Sequence, residues 1–289
     1  MAIVQLFING LALGALYALI TLGFVFVINA TGAVNFAQGE LVMAGGYTAV
    51  MLQPFIGAGP LILAAVAVIM FFVGIVLALV AYFPLMRRPP ATVFISTLLC
   101  GIFLQNLFVV AFGPEAKAGP PLTSSQVLQW GPIEISQQAV GIMIVTALFV
   151  TLQFVVFSRT QIGRKLRATT QDREMAQAVG IPALRMIAIT FGVGASLAGV
   201  AGALLANQYF VWPTGGVTLT VFAYMAVVIG GWGSIPGAVL GAMMIALFQV
   251  VVASFVSYTA AAILLYLAVL CVFILRPQGL LGERMQRRA

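Results

Sequence analysis

Long apolar runs alternate with short polar segments along the whole chain. The runs cover residues 6–28, 41–52, 61–83, 91–112, 139–157, 186–206, 218–229, 237–256 and 260–275. Within each run the apolar residues are continuous and do not alternate with polar ones. The pattern therefore predicts helices and not the strands of a membrane barrel.

Most of these runs are long enough to cross a membrane, because a helix needs about 20 residues to span the hydrocarbon core. The runs at 41–52 and 218–229 are shorter, so they must borrow neighbouring residues or enter the membrane only part-way. No basic residue precedes the first run, unlike in a signal peptide, and we expect a retained span. The sequence predicts an all-α polytopic membrane protein, with one transmembrane domain over residues 1–289 and eight or nine spans.

The composition supports a membrane protein and excludes several kinds of chemistry. Hydrophobic residues make up 63% of the chain and charged residues 7%, which leaves too few charges for the polar shell of a soluble enzyme. The chain has no histidine, two cysteines inside apolar runs and no phosphate-binding P-loop motif. We therefore expect no catalytic residues, no metal site and no cofactor in this chain, and we interpret it as a non-enzyme.

The basic residues predict how the chain is oriented in the membrane. All 13 Lys and Arg residues except Lys117 lie in three places: at 87–88, in the loop 158–185 and in the tail from Arg276. The positive-inside rule puts these places and the C-terminus in the cytoplasm, and the loop 113–138 outside. The net charge of +7 thus reports topology and does not indicate nucleic-acid binding. Either zero or two crossings lie between residues 218 and 256.

Two polar or glycine-rich interruptions are candidates for a substrate pathway. The first, residues 29–40, contains Asn35, Gln38 and Glu40. An acid inside a membrane is costly and usually faces a cavity or a partner. Alternatively, Glu40 begins its helix at the membrane surface, where the helix dipole favours an acid.

The second interruption covers residues 230–237 and contains four glycines and a proline. Its candidate pathway residues are Gly230, Gly231, Gly233 and Ser234. Backbone that is not helical at membrane depth must be buried in protein or line a cavity. A pair of broken segments, one in each half of the chain, is typical of transporter binding sites. A tight turn between two helices at the membrane surface explains the same residues.

The loop 158–185 contains a predicted short helix between Asp172 and Gly180. Asp172 can cap its start, Glu174 suits the positive end, and Gly180 is a typical residue just beyond a helix. About two turns are too few to be stable alone in water. We expect Met175, Ala176 and Val179 to pack on the rest of the chain or on a partner protein.

Several stretches resemble the LivH-type permease subunits of bacterial ABC importers for branched-chain amino acids. They are ATGAVNFAQGE at 30–40, IGGWGSIPGA at 229–238, LRPQGLLG at 275–282, and GRKLRAT at 163–169 with the residues from 172 to 181. The resemblance covers essentially the whole chain and implies a helix that couples to the ATPases. Five residues of that coupling helix are expected to carry the contact: Asp172, Glu174, Ala176, Gly180 and Ile181. Met175 departs from the family motif, which has an alanine there.

The resemblance also implies partners. They are a LivM-like second permease, two cytoplasmic ATPases that use the ATP, and a periplasmic binding protein, around a permease in the bacterial inner membrane. We expect alternating access driven by the ATPases. The sequence does not decide whether the substrate is a branched-chain amino acid, another amino acid, urea, a short amide or an aromatic acid. It also does not decide whether the two permease copies are identical or different. An ion-coupled transporter or channel is the main alternative, and an intramembrane enzyme is a further one.

Overall fold

The computed structural model describes residues 2–121, 127–130, 133–276 and 279–281, with the side chains of residues 2, 3 and 127–135 left aside. The basic residues Arg284, Arg287 and Arg288, on which the expected cytoplasmic tail partly depends, lie outside the described residues. Residues 277, 278 and 282 of the stretch LRPQGLLG also lie outside them.

Helices account for all nine predicted apolar runs. The α-helices are α1 (Ala2–Thr31), α2 (Gln38–Ile56), α3 (Pro60–Leu77), α4 (Pro90–Phe112), α5 (Gln137–Arg159), α6 (Gln161–Gln171), α7 (Arg173–Ala178), α8 (Ala183–Tyr209), α9 (Gly216–Gly230), α10 (Ile235–Phe255) and α11 (Tyr258–Leu275). A π-helical turn, Ala78–Tyr82, and a 3₁₀ turn, Phe83–Leu85, continue α3 to the basic pair at 87–88.

Seven helices in the described ranges are long and apolar enough to cross a membrane: α1, α3 with its extension, α4, α5, α8, α10 and α11. The two short runs form α2 and α9, which do not meet both conditions. The structure is thus a helical membrane protein. The count of eight or nine spans depends on α2 and α9 and stays a prediction.

The core of the bundle is built around α1 and α8. The most apolar stretch of α1 is 94% buried, whereas the corresponding stretches of α5 and α11 are each 11% buried. Glycines allow α2 to lie directly on α8, because Gly45 meets the backbone of Gly199 with no side chain between them. Long exposed apolar faces remain on α4, α5 and α11, as a membrane or a neighbouring subunit requires.

The segment expected outside the membrane differs from an all-α prediction. It contains a short antiparallel hairpin of β1 (Val127–Trp130) and β2 (Ile133–Ser136). Lys117 exchanges two backbone hydrogen bonds with Val211, at 2.8 and 2.9 Å, and Gly119 donates one to Ala206. The segment is thereby fastened to the end of α8. The strands were missed because four-residue runs carry almost no periodic signal.

Candidate functional site

Helix α2 begins inside the bundle and not at its edge. After α1 ends, Gly32 adopts a left-handed conformation (φ 67°) and residues 32–37 return among the helices without forming one. The Gln38 side-chain amide then donates to the carbonyls of Ile20 at 3.4 Å and Gly194 at 3.3 Å. Ile20 lies 11 residues before the last residue of α1. At about 1.5 Å per residue, α2 starts about 16 Å from that end of α1.

Helix α9 begins at the same depth, and its first turn touches the first turn of α2. Residues 210–215 lead inward from the end of α8 without forming a helix. The Gly39 N–H donates to the Thr220 hydroxyl at 2.9 Å, and that hydroxyl donates to the Gly216 carbonyl at 3.1 Å. The N-terminal ends of α2 and α9 therefore meet in the interior, where their positive dipole ends add.

Asn35 holds the returning segment in place. Its side-chain oxygen accepts from the Ala37 N–H at 3.1 Å, and its amide donates to Gln38 at 3.4 Å. The Phe36 N–H donates to the Thr97 hydroxyl of α4 at 3.1 Å. Asn35, Gln38 and Thr97 are all buried. The backbone groups freed by the missing helix are satisfied by side chains, as irregular backbone inside a membrane protein requires.

Glu40 lies at this meeting point with an incomplete set of partners. Its side chain is 3% exposed, and its carboxylate packs directly on Gly216, the first residue of α9. Within the described part of the chain, its Oε2 atom accepts no hydrogen bond. A buried carboxylate in this state favours a bound group that donates hydrogen bonds or carries positive charge.

A cavity of about 250 Å³ lies beside Glu40, between α2, α4 and α9. Of the described residues that line it, Glu40 carries the charge, Thr220 and Gln105 are polar, and the others are apolar or glycine. The remaining lining residues are Phe36, Phe94, Leu98, Gly101, Ile102, Val217 and Val221. The arrangement suits a small molecule with one cationic end and an apolar body. We refer to it as the Glu40 cavity.

The structure does not bring the second interruption to this cavity. Gly230 ends α9, Gly231 and Gly233 have positive φ values of 112° and 80°, and the Ser234 hydroxyl caps α10 by accepting from Gly237. The 15 residues of α9 separate this turn from Gly216 by about 20 Å. The turn therefore lies near the end of α1, where the Asn29 side chain donates to the Gly233 carbonyl at 2.9 Å.

The glycines of that turn admit the last described residues of the chain. Leu280 and Leu281 donate backbone hydrogen bonds to the carbonyls of Ile229 and Gly230, at 2.8 and 2.9 Å. Gly279 lies against Gly231 so closely that a side chain on it would meet backbone atoms. The end of α9 and the tail segment 279–281 therefore pack directly against each other, and the glycines in both make this close contact possible.

The short helix predicted between Asp172 and Gly180 is present as α7. The Asp172 carboxylate accepts from the Met175 N–H at 2.9 Å, and Glu174 lies in the first turn. Gly180 has a φ of 82°, and the Ile181 N–H bonds back to the Ala176 carbonyl at 2.9 Å. Both ends of this short helix are capped by residues that the sequence analysis named.

The apolar residues of α7 do not share one packed face. Ala176 is 4% exposed, whereas Met175 and Val179 are 66% and 75% exposed. Of the three, only Ala176 packs on the chain. The loop also contains α6, an amphipathic helix that was not predicted. Arg173 contacts the Met86 sulfur at 3.3 Å, which places α7 beside the basic pair at 87–88.

Three residues near Glu40 were missed by sequence reasoning: Thr97, Gly216 and Thr220. Pro213, Gly215 and Gly216 precede the short run at 218–229, and this combination would have indicated that α9 starts after a break. Thr97 has no such signal, because a single threonine within an apolar run is ordinary.

Comparisons with known proteins assign this chain to a family. The model of the family described as "Branched-chain amino acid transport system / permease component" matches residues 6–275. The chain is 33% identical to the high-affinity branched-chain amino acid transport system permease protein BraD of Pseudomonas aeruginosa, over 96% of this chain and 95% of that protein. It is 32% identical to the corresponding permease protein LivH of Escherichia coli, over the same shares.

A second permease of the same kind is also similar. The E. coli permease protein LivM is 26% identical over 92% of this chain and 68% of its own length. Among solved structures, PsaBC from Streptococcus pneumoniae in complex with Fab matches with a TM-score of 0.51 and 13% identity. That match covers 93% of this chain and 91% of the other, and bears on fold alone.

The named relatives are transport permeases, which disfavours both the ion-coupled alternative and the intramembrane enzyme. The match to the family model over nearly the whole chain agrees with the stretches that first suggested the resemblance. The chain therefore belongs to the permease component family of branched-chain amino acid transport systems.

Proposed function

We propose that this chain is the membrane-spanning permease subunit of an ABC importer, and that it moves branched-chain or related amino acids across the bacterial inner membrane. The observation that supports this best is the buried Glu40 carboxylate, whose Oε2 has no partner among the described residues, beside a largely apolar cavity. An amino acid with an aliphatic side chain offers the complementary groups. Its ammonium group pairs with Glu40, and its side chain lies on Phe94, Leu98 and Ile102.

The meeting of α2 and α9 supports alternating access around this point. Short helices that begin near the middle of a bundle are characteristic of transporter binding sites, since their free N–H groups and dipoles face the substrate. The Glu40 cavity opens beside exposed residues of α4, Leu98 and Ile102 among them. We place the second permease subunit against that side, so that the pathway runs between the two subunits.

The distribution of basic residues supports the proposed orientation, with the C-terminus in the cytoplasm. Arg87 and Arg88 lie beside α7, and Phe157 of α5 meets Phe26 near the end of α1. These segments therefore share one end of the bundle. Lys117 lies at the opposite end, with the end of α8. Counting α2 and α9 as partial or complete spans gives the proposed total of eight or nine.

The proposed assembly contains a LivM-like permease, two cytoplasmic ATPases that consume the ATP, and a periplasmic binding protein. The exposed Met175 on α7 and Val179 directly after it support the ATPase contact, because exposed apolar side chains on a cytoplasmic segment favour a protein partner. The ATPases would move α7, and α8 would carry that movement to Gly194, the contact of Gln38.

Glu40→Gln tests the substrate site. A hydrogen bond to a charged group contributes about 1.5–3 kcal/mol, so the apparent affinity for leucine should fall by about 10- to 150-fold in vesicle uptake. Glu115→Gln, an exposed acid at the far end, is the matched control. Normal leucine uptake by Glu40→Gln at normal abundance would exclude the ammonium contact.

Met175→Glu with Val179→Glu tests the ATPase contact separately. Two charges on the exposed apolar positions should abolish co-purification of the ATPases while the permease still inserts. Met175→Leu, which keeps the apolar surface, should retain them. ATPase binding by the double variant at the normal level would contradict the role of α7, whatever the result at Glu40.

A further inference from the structure

A second cavity, of about 200 Å³, lies away from the Glu40 cavity and close to the basic end of the bundle. It is enclosed by α1, α3, α5, α6 and α8. Its lining is almost entirely apolar, and the residues used below are Gln153, Phe157 and Leu166. We refer to it as the Gln153 cavity. On the α5 side the cavity reaches the surface, where its lining residues Leu152 and Val156 are exposed.

Gln153 is a polar side chain in this apolar site. Both its amide nitrogen and its amide oxygen are buried, and neither has a hydrogen-bond partner in the described part of the chain. Leaving such a group unsatisfied costs about 1–3 kcal/mol, which an apolar residue of the same size would avoid. A ligand that carries hydrogen-bonding groups into the cavity removes this cost.

Helix α6, which contributes Leu166 to the cavity wall, also carries basic residues. The Thr160 hydroxyl caps α6, and Gly163 lets the helix turn back tightly against the carbonyls of Val156 and Phe157. Leu166 then forms part of the cavity wall, while Arg164 and Lys165 point to the exposed side.

A third basic residue, Arg167, contacts Phe157, which is part of the cavity wall. Its guanidinium is 5.3 Å from the centre of the Phe157 ring and donates to the Phe157 carbonyl. From Arg159 to Arg167 the sequence holds four basic residues and no acid. Arg167 thus brings a positive charge against a residue of the cavity wall, and the other three basic residues are exposed and close to it in sequence.

Depth along α5 matches the order of groups in a phospholipid. The basic residues lie at and beyond the end of α5, and Gln153 lies six residues, or about 9 Å, before that end. Passing inward from the basic end, a bound molecule would meet positive charge, then an amide, then aromatic and aliphatic side chains. A phospholipid presents phosphate, then ester oxygens, then acyl chains in the same order.

We propose that the Gln153 cavity binds one phospholipid with an anionic headgroup. An acyl chain occupies the apolar cavity, an ester carbonyl accepts from the Gln153 amide, and the headgroup phosphate contacts Arg164 and Lys165. Basic pockets between helices at the cytoplasmic face are suited to such lipids. The proposal does not depend on the transported substrate.

Native mass spectrometry of the full chain in detergent tests the headgroup contact. The probes are phosphatidylglycerol and phosphatidylcholine with identical acyl chains. We expect phosphatidylglycerol to be retained and phosphatidylcholine to be lost. Arg164→Gln with Lys165→Gln should reduce retention by about 25-fold, since each basic residue near an anionic lipid contributes about fivefold. Arg87→Gln with Arg88→Gln removes equal charge from another exposed site and should change nothing.

A Gln153→Leu variant and a probe without acyl chains complete the test. Gln153→Leu should lower phosphatidylglycerol retention severalfold, and glycerol 3-phosphate, which lacks acyl chains, should not bind. Equal retention of both phospholipids, or full retention by the Arg164/Lys165 double variant, would overturn the proposal. Binding of glycerol 3-phosphate alone would also overturn it, because the site would then be an ordinary phosphate site.

Discussion

The contact between Gly39 and Gly216 gives a sharp test of the two-helix arrangement. A Cβ atom added at Gly39 would lie 1.8 Å from the Gly216 carbonyl oxygen, whereas real Cβ contacts are essentially never under 3.0 Å. In Gly39→Ala, the start of α9 must therefore move away by about 1.2 Å. The obstructing atom belongs to the backbone, so rotation of a side chain cannot relieve the clash.

The cost of Gly39→Ala follows from three effects. Overpacking an interior contact costs about 1–3 kcal/mol. Separation of the helices also stretches the 2.9 Å bond from the Gly39 N–H to the Thr220 hydroxyl, and an unsatisfied buried amide costs about 1–3 kcal/mol. Alanine returns up to about 1 kcal/mol through its higher helix propensity. The free energy of unfolding should fall by about 1–6 kcal/mol.

Thermal unfolding of the purified chain in detergent, followed by leucine uptake in vesicles, measures the effect. The midpoint should fall by about 2–4 °C for each kcal/mol, and uptake should fall with it because Glu40 adjoins the displaced helix. Gly10→Ala is the control, since its nearest obstacle is the tip of the Leu247 side chain, which can rotate. If Gly39→Ala is as stable and active as Gly10→Ala, then α2 and α9 do not meet as described.

Three further substitutions test individual caps and anchors. Thr97→Val removes the acceptor of the Phe36 N–H and should lower the free energy of unfolding by about 1–3 kcal/mol, whereas Thr97→Ser should not; equal midpoints would refute the anchor. Asp172→Ala removes the acceptor of the Met175 N–H at the start of α7, which costs about 1 kcal/mol, and should weaken ATPase co-purification severalfold. Asp172→Asn keeps an acceptor and should preserve co-purification, so an equal loss in both variants would contradict the capping role. Gly180→Ala places a side chain at φ 82°, costing about 1–2 kcal/mol, so the loop 158–185 should be cleaved faster by trypsin than in the wild type; an unchanged rate would exclude this strain.

Local features of the chain were predictable because each depends on neighbouring residues. Continuous apolar runs gave the helices, and the caps at Asp172 and Gly180 follow from side-chain chemistry within a few positions. The unusual shortness of the runs at 41–52 and 218–229 also indicated that α2 and α9 differ from the other helices.

The depth at which those two helices begin could not be predicted. It depends on contacts between distant residues, such as Gln38 with Gly194 and Gly39 with Thr220. For the same reason, two glycine-containing interruptions looked equivalent in the sequence. The structure separates them, because α9 runs away from Gly216 and carries Gly230 to the end of the bundle.

The hydrogen bond between Gly39 and Thr220 also constrains the order in which the protein can fold during synthesis. The two residues are 181 positions apart, so α2 leaves the ribosome long before its partner exists. At about 5–20 residues per second, that delay is about 10–40 s. During this interval the N–H of Gly39 lacks its permanent acceptor, and α2 is less apolar than the seven helices that can cross a membrane. The start of α2 therefore reaches its final position only after α9 is made, late in synthesis.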